Sequence, residues 1–448
     1  MFKGKRILVC GMAKSGQAAA KLLVEMGASV TVQDRNENIS FQYDTAIFSA
    51  MYLGQDATHI VGDFDLIIIS PGITVYAPFV VKAMGLGIPV WGEAELAYRL
   101  CPCPMVAITG TNGKTTVTTL VGEILKRHNT GTIVGGNIGI PLTELVTTLV
   151  PGNVVVAEIS SFQLETIAAF RPKISAVLNM TEDHLDRHHT MENYIAMKSR
   201  IFENQSTSDF CVLNYDNDIT RNMHPPSQMI YFSAKKELAE GVYIRDGWMY
   251  AKMPADVHER AIANMDGLKT MPENALAAAA ICICAGVSAQ DIAAGLAAFT
   301  GVPHRLEYVT TIDGVDYYND SKATNTDAAI KAIEAISAPM ILIGGGSDKG
   351  SDFTPWVSEF NEKVTQLILI GETAQKIVDT CIRLGFTNYY VTDTLQSAVA
   401  MAKDKARPGH TVLFSPACAS FDMFRNFEER GEMFKEVVKN ASRTRNSI

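Results

Sequence analysis

The chain has 448 residues, 47% of them hydrophobic and 19% charged, an ordinary balance for globular cores and enough length for roughly two to four domains of about 150 residues. A net charge of −9 excludes a general nucleic-acid binder, which presents basic faces. No apolar run reaches the ~18 residues of a membrane span.

The eight cysteines form no C-x-x-C pair and several sit inside apolar runs. That pattern fits small buried residues of a reducing compartment better than disulfides or zinc ligands. Met1 to Cys10 reads as a first strand and not a signal peptide, because its apolar part is short and leads straight into a glycine turn. A soluble cytoplasmic protein is the expectation.

In chain order, Ile7 to Cys10 predicts a buried strand. It is followed by the turn Gly11-Met-Ala-Lys-Ser-Gly16, a helix from Gln17 to Met26, and a strand from Val30 to Gln33 that ends at Asp34. This is a dinucleotide-fold opening, with an acid about 20 residues past the turn. The glycines read G-x-x-x-x-G and not G-x-G-x-x-G, which favours a nucleotide held in another way than NAD. Leu66 to Ser70 predicts a third core strand running into Ser70-Pro71-Gly72-Ile73. Ligands of doubly wound sheets lie beyond the carboxyl ends of strands, so this turn is a candidate binding loop. Val90-Trp91 and a helix from Glu93 to Leu100 finish the unit, and Cys101-Pro-Cys-Pro104 reads as a linker.

The stretch MVAITGTNGKTTVTT (105–119) comes next. An apolar run reads as a buried parallel strand; Gly110, Gly113, Lys114, Thr115 and Thr116 follow, then a helical pattern to Arg127. Strand, glycine loop, Lys-Thr and helix is the layout that cradles phosphate. Glycines let backbone N–H groups crowd an anion, the helix N-terminus adds positive potential, and Lys114 adds a point charge. Thr115 stands where a hydroxyl ligands Mg²⁺. The first glycine of the usual G-x-x-x-x-G-K-[ST] falls at Ile108, so the loop is a shortened form. Val134-Gly-Gly-Asn-Ile-Gly139 is a second glycine loop able to approach a ligand or simply to turn.

Val154 to Ile159 predicts a core strand with Glu158 near its carboxyl end. A lone buried carboxylate is costly, which favours a cation beside it over an ion pair. Ile174 to Met180 predicts another strand, running into Thr181-Glu-Asp-His-Leu-Asp-Arg-His188. Asp183, His184, Asp186 and His188 there read either as a charged solvated loop or, through His184, as part of a metal site with Glu158. Tyr194 to Phe202 predicts a helix, on which the single Lys198 is expected to face solvent. Phe210 to Asn214 begins a further strand, residues 217–270 read as irregular, and Asn274 to Phe299 predicts two alanine-rich helices of core packing.

A third unit begins near Val302. Strands are expected at Val315 to Tyr318, Met340 to Ile343, Gln366 to Ile370, Tyr389 to Val391 and Val412 to Phe414, with helices between most of them, as in a parallel sheet. The turns at 319–325, 344–350 and 415–422 are polar or glycine-rich and suggest one shared cleft.

TGTNGKTT (109–116), NDSKATN (319–325) and SPACASFDMFRNFEERG (415–431) together resemble the Mur ligases of peptidoglycan synthesis, in order and over essentially the whole chain. The resemblance implies an α/β fold of three domains. They are a Rossmann-like UDP-binding domain over 1–100, a central P-loop-type ATPase with a mostly parallel sheet over 101–301, and a Rossmann-like amino-acid domain over 302–448. It implies a monomeric ligase that uses ATP and two Mg²⁺ ions, with UDP-N-acetylmuramoyl-L-alanine and D-glutamate as partners and neither nucleic acid nor membrane. ATP would phosphorylate the alanyl carboxylate, and an amine would displace phosphate from the acyl phosphate.

Carried over by position, Gly110, Thr111, Asn112, Gly113, Lys114, Thr115 and Thr116 hold the ATP phosphates, Thr115 through Mg²⁺. Glu158 and His184 match metal ligands, and Lys198 matches a lysine carried as a carbamate, which acts as a further ligand. With Lys114 these four form the expected catalytic set. Asn137 and His184 meet the muramoyl-alanine portion, Ser70, Pro71 and Gly72 support the UDP-sugar, and Asp34 and Arg35 lie near the uridine. Asn274 matches an adenine-side asparagine, while Arg305 and Asp320 flank the nucleotide. Thr324, Lys349, Ser420 and Phe427 match the D-glutamate positions, with Lys349 pairing a carboxylate. The chain departs from the family at Thr270-Met271, where members often carry His-Asn, and at Arg-Asn-Glu over 35–37.

Three other readings compete. Another Mur ligase or a folylpolyglutamate synthase is disfavoured by the last two motifs. A GTPase-like switch would carry Asn-Lys-x-Asp, which is absent. An NAD-dependent oxidoreductase is suggested only by residues 7–34.

Overall fold

The computed structural model describes residues 1–443 except 42, 255 and 361, with side chains described to 441. It divides into two compact units, Met1–Phe299 and Thr300–Ile448, each built on α/β layers.

The first unit carries two sheets. The first has β1 (Arg6–Cys10), β2 (Ser29–Asp34), β3 (Ala50–Leu53), β4 (Leu66–Ile69) and β5 (Val90–Gly92), all parallel in the order β3-β2-β1-β4-β5. In β4 all four residues are buried, as expected of a strand with helices on both faces. Each such Ile or Leu contributes about 1.5–3 kcal/mol of burial. The chain winds outward from β1 to β3, then returns across β1 to lay down β4. That reversal opens a crevice between the ends of β1 and β4, where ligands of such folds bind. The Gly11 turn and the Ser70 turn meet there; a Cβ on Gly11, whose φ is +87°, would lie 2.7 Å from Ser70 Cβ.

The second sheet adds β6 (Met105–Thr109), β7 (Thr132–Gly136), β8 (Val154–Glu158), β9 (Ile174–Val177), β10 (Phe210–Asn214), β11 (Gln228–Ser233), β12 (Gly241–Arg245), β13 (Trp248–Lys252) and β14 (Arg260–Asn264). Its order is β14-β13-β12-β11-β10-β9-β6-β8-β7, parallel except at β12–β13 and β13–β14. Here the reversal falls between β6 and β9, so the phosphate loop after β6 sits at the crevice. Helix Lys114–His128 follows that loop and packs against the alanine-rich helix Pro272–Cys284.

Residues 217–270 are not irregular. They form the short helix Asp218–Arg221 and strands β11 to β14. Two causes hide them in the sequence. The antiparallel edge strands are five residues long and half exposed, so the alternating apolar signal is weak, and a bulge at Met249/Tyr250 breaks the register.

The second unit holds β15 (Glu307–Ile312), β16 (Val315–Asn319), β17 (Met340–Gly344), β18 (Val364–Leu369), β19 (Tyr389–Val391) and β20 (Thr411–Phe414) in the order β15-β16-β20-β17-β18-β19. Among the described strands of this sheet only the β15–β16 pair is antiparallel. The reversal lies between β17 and β20, beneath the loops 344–350 and 415–422. All eight cysteines are free, five of them buried. Among the described residues no helix is long and apolar enough to cross a membrane.

Candidate active site

Strand register assembles the centre of the first unit. Ile108 of β6 lies level with Glu158 of β8, which lies level with Gly136 of β7. The phosphate loop, Glu158 and the second glycine loop therefore share one end of the sheet. Gly136 has φ +105°, and a Cβ there would meet the Glu158 carbonyl oxygen at 2.4 Å. That close crossing lets the Asn137 amide donate to the Glu158 carbonyl at 2.8 Å and the Asn137 side chain to Glu158 Oε1 at 2.8 Å. The other carboxylate oxygen accepts from Thr115 Oγ1 at 2.7 Å. Glu158 is 2% exposed, and both donors are neutral.

The loop itself is rigidly held. Asn179 clamps Asn112, accepting from its amide and donating to its carbonyl. The Thr111 hydroxyl donates to the Thr181 carbonyl and contacts the Tyr194 hydroxyl. Gly110 and Gly113 have φ of +148° and +82°, conformations that favour glycine. A Cβ on Gly113 would lie 2.5 Å from Asn274 Oδ1, so Asn274 stands against the loop. Lys114 Nζ donates to the Gly110 and Thr111 carbonyls. Thr116 Oγ1 is buried without a hydrogen-bond partner among the described residues. A free donor on the first turn of a helix fits an anion at that helix's N-terminus.

Lys198 overturns the expectation of a solvent-facing side chain. It is 2% exposed, donates to the Gly110 carbonyl at 2.7 Å, and lies 4.9 Å from the Tyr194 ring centre. Burial, reinforced by the Lys114 charge, holds its ammonium well below the usual lysine range, with Asp183 and Glu158 opposing. His184 caps helix Leu185–His188 with φ +55°, its ring on edge to Phe162 at 5.0 Å and its Nε2 3.6 Å from Asp183. His188 turns away into the core, where its Nε2 meets Ser161 Oγ at 3.0 Å. Among the described residues no three His, Cys, Asp or Glu side chains cluster as a metal centre. The Thr115 hydroxyl and Glu158 carboxylate, in contact at 2.7 Å, are nonetheless the hard oxygen donors that Mg²⁺ accepts.

On the first sheet, Asp34 accepts from the Met12 and Asn36 amides, which binds the glycine turn to the end of β2. Arg35 is exposed and pairs with Asp56 at 3.5 Å. Two residues that the sequence reading passed over link this sheet to the next: Lys14 Nζ donates to the Gly139 carbonyl at 2.8 Å, and Arg187 donates to the carbonyls of Pro71, Gly72 and Ile73. Both were visible only as ordinary charged residues in loops.

In the second unit the loops at 319–325, 344–350 and 415–422 interlock. Ser415 Oγ donates to Asp320 at 2.8 Å, and Ser347 bridges to Ala419. Burial pushes the Asp320 carboxyl up to about 6, opposed by Arg305, Ser415 and Arg430. Arg430, also unassigned from sequence, is 1% exposed and donates to Ser321, Cys418 and Ala419. Ser420 is buried in the same knot, Phe427 starts the last helix beside His304, and Arg305 Nε is buried without a partner among the described residues. Lys349 and Thr324 stand half-buried in their loops.

Comparison with known proteins gives a consistent result. Residues 5–92 match the MurD-like N-terminal domain of Mur ligases, 108–282 the Mur ligase middle domain and 304–418 the Mur ligase glutamate ligase domain. The chain belongs to the Mur ligase family. It is an ATP-dependent ligase of that family. A Caldanaerobacter subterraneus subsp. tengcongensis protein named UDP-N-acetylmuramoylalanine--D-glutamate ligase is 44% identical over 452 residues, covering 99% of this Mur ligase and 100% of the relative. A Pelotomaculum thermopropionicum protein of the same name is 46% identical over 448 residues, covering 98% of each. The solved MurC of Thermotoga maritima, a UDP-N-acetylmuramate-alanine ligase, shares the fold at 18% identity and a TM-score of 0.60, covering 98% of this Mur ligase and 100% of that chain.

Proposed function

We propose that this Mur ligase joins D-glutamate to UDP-N-acetylmuramoyl-L-alanine in the cytoplasm, acting as a monomer and converting ATP to ADP and phosphate. Its working domains are 1–100 for UDP, 101–301 for ATP and 302–448 for D-glutamate. The observation that carries the reading is the Glu158 carboxylate held between Thr115 and Asn137 at 2.7 and 2.8 Å, at the mouth of the phosphate loop. That arrangement joins a nucleotide site to a loop suited to the acceptor substrate.

The chemistry follows from the weakness of carboxylates as acylating groups. An oxygen of the alanyl carboxylate attacks the γ-phosphorus, ADP leaves, and the acyl phosphate forms. The D-glutamate nitrogen then adds to the acyl carbon, phosphate departs with the C–O bond pair, and the amine gives its proton to solvent or base. The enzyme's task is charge neutralisation and alignment. Lys114, the Gly113 backbone amide and the Thr116 hydroxyl hold the phosphates, the Thr111 and Asn112 amides being taken up by Asn179, and Asn274 serves the adenine. Thr115, Glu158 and His184 would hold the two Mg²⁺ ions, and the ions would supply charge neutralisation for phosphoryl transfer. The suppressed charge on Lys198 suits a carbamate, since CO₂ adds to a neutral amine, and the modified side chain would supply another oxygen ligand. Asp34, Arg35, Ser70, Pro71, Gly72 and Asn137 serve the UDP-sugar. Arg305 and Asp320 serve the nucleotide; Thr324, Lys349, Ser420 and Phe427 serve D-glutamate.

Phosphate release measured with UDP-N-acetylmuramoyl-L-alanine and a panel of amino acids tests this. Turnover is expected with D-glutamate; turnover that requires L-lysine, or a folate as acceptor, would refute the assignment.

A further inference from the structure

We propose that Arg187 is a positioning residue that sets the Pro71–Ile73 turn for the UDP-linked substrate and couples it to His184. The inference rests on the substrate reading above.

All three guanidinium nitrogens take part. Nε and Nη2 grip Glu165 as a fork, at 3.0 and 2.7 Å from Oε1 and Oε2. The remaining reach goes to three consecutive carbonyls: Pro71 at 3.3 Å, Gly72 at 3.2 Å and Ile73 at 2.8 Å. The side chains of Arg187 and Glu165 are only 13% and 4% exposed, so this charged fork is shielded and strong. Lysine, a point charge, cannot reproduce it.

The geometry has a consequence for the turn. In a trans peptide the C=O and N–H point in opposite directions. Drawing the Pro71, Gly72 and Ile73 carbonyls toward Arg187 therefore aims the Gly72, Ile73 and Thr74 amides away from it. The Ile73 amide is used by the Ser70 carbonyl at 2.9 Å. The Gly72 and Thr74 amides are left directed to the opposite side, as donors for anionic or sugar oxygens. No atom would meet a Cβ on Gly72 within 4 Å, and the residue is exposed.

The second half of the coupling runs through Phe162. Its ring takes the Arg187 guanidinium on its face at 4.6 Å and stands T-shaped to the His184 ring at 5.0 Å between centroids. Arg187 and His184 also share the one-turn helix that His184 caps with φ +55°. A turn that shifts would thus shift the backbone holding His184.

The test uses the full chain with Arg187→Lys and, as a milder change, Glu165→Gln. Binding of UDP-N-acetylmuramoyl-L-alanine is measured by calorimetry without ATP, alongside KM for all three substrates, kcat and Tm. For Arg187→Lys, Kd and KM for the UDP substrate are expected to rise at least tenfold, while KM for ATP and for D-glutamate stays within twofold. Glu165→Gln should give a smaller shift in the same parameter. Equal changes in all three KM values, or a lower Tm with unchanged Kd, would overturn the proposal. If Arg187→Lys does not fold, an unchanged Kd in Glu165→Gln does so. Wild-type protein that fails to bind the UDP substrate is a separate result, and it sinks the substrate assignment itself.

Discussion

The Thr115 hydroxyl donates to Glu158 Oε2 at 2.7 Å, tying the first turn of the phosphate-loop helix to the end of the neighbouring strand. The same carboxylate receives Asn137 on its other oxygen, so Glu158 organises both glycine loops. Glu158→Gln keeps the volume and removes the charge. It is expected to lower kcat by about 100-fold or more, the scale of losing one well-placed electrostatic group, with an unchanged circular dichroism spectrum. A variant within threefold of wild type would remove Glu158 from the centre.

Lys198 touches the Gly110 carbonyl from behind the phosphate loop. Lys198→Ala should nearly abolish turnover, and added short carboxylates or bicarbonate should restore part of it by supplying the missing oxygen ligand. Phosphate release with and without added formate or acetate measures this. Full activity in the unsupplemented variant contradicts a role for Lys198.

Much of the fold was legible because β1, β4 and β6 are apolar runs that end in glycine or polar turns, and each of these turns lies at a strand-order reversal. The phosphate loop was legible for the same reason, since backbone geometry writes itself into glycine spacing. Side chains whose role depends on distant partners were not. Arg187 looks like one more charge in TEDHLDRH; Glu165 lies 22 residues away and the turn it holds more than 110. Lys198 sits on a helix with almost no one-sided apolar pattern, so its burial follows from packing beneath the loop and not from local sequence. Arg430 likewise gains meaning only when two loops close on it.

Two glycines of the second loop should behave differently. Gly136→Ala places a Cβ 2.4 Å from the Glu158 carbonyl oxygen at φ +105° and is expected to cost about 2–3 kcal/mol or more and to raise the Mg²⁺ requirement. Gly139→Ala, at φ +64° with nothing within 4 Å, should cost only about 1 kcal/mol. Urea unfolding of the two variants makes the comparison; equal losses would contradict the crossing at Gly136.

Asp320 gives a pH prediction for the second unit. Burial pushes its carboxyl up to about 6 from the ordinary 3.8, so the folded state holds the proton more tightly than the unfolded chain. Its stabilising contribution is complete below pH ~3.8, fades as pH rises through about 6, and is constant above that. The unfolding free energy of wild type relative to Asp320→Asn should therefore fall by on the order of 3 kcal/mol between pH 4 and 7. Chemical denaturation at several pH values reads this difference; a pH-independent gap would contradict it.

The most direct measurement follows an oxygen atom. UDP-N-acetylmuramoyl-L-alanine labelled with oxygen-18 in its alanyl carboxylate is turned over with ATP and D-glutamate, and the released phosphate is analysed by mass. Attack of the carboxylate on the γ-phosphorus predicts one labelled oxygen in each phosphate. Phosphate that carries no label would contradict the account.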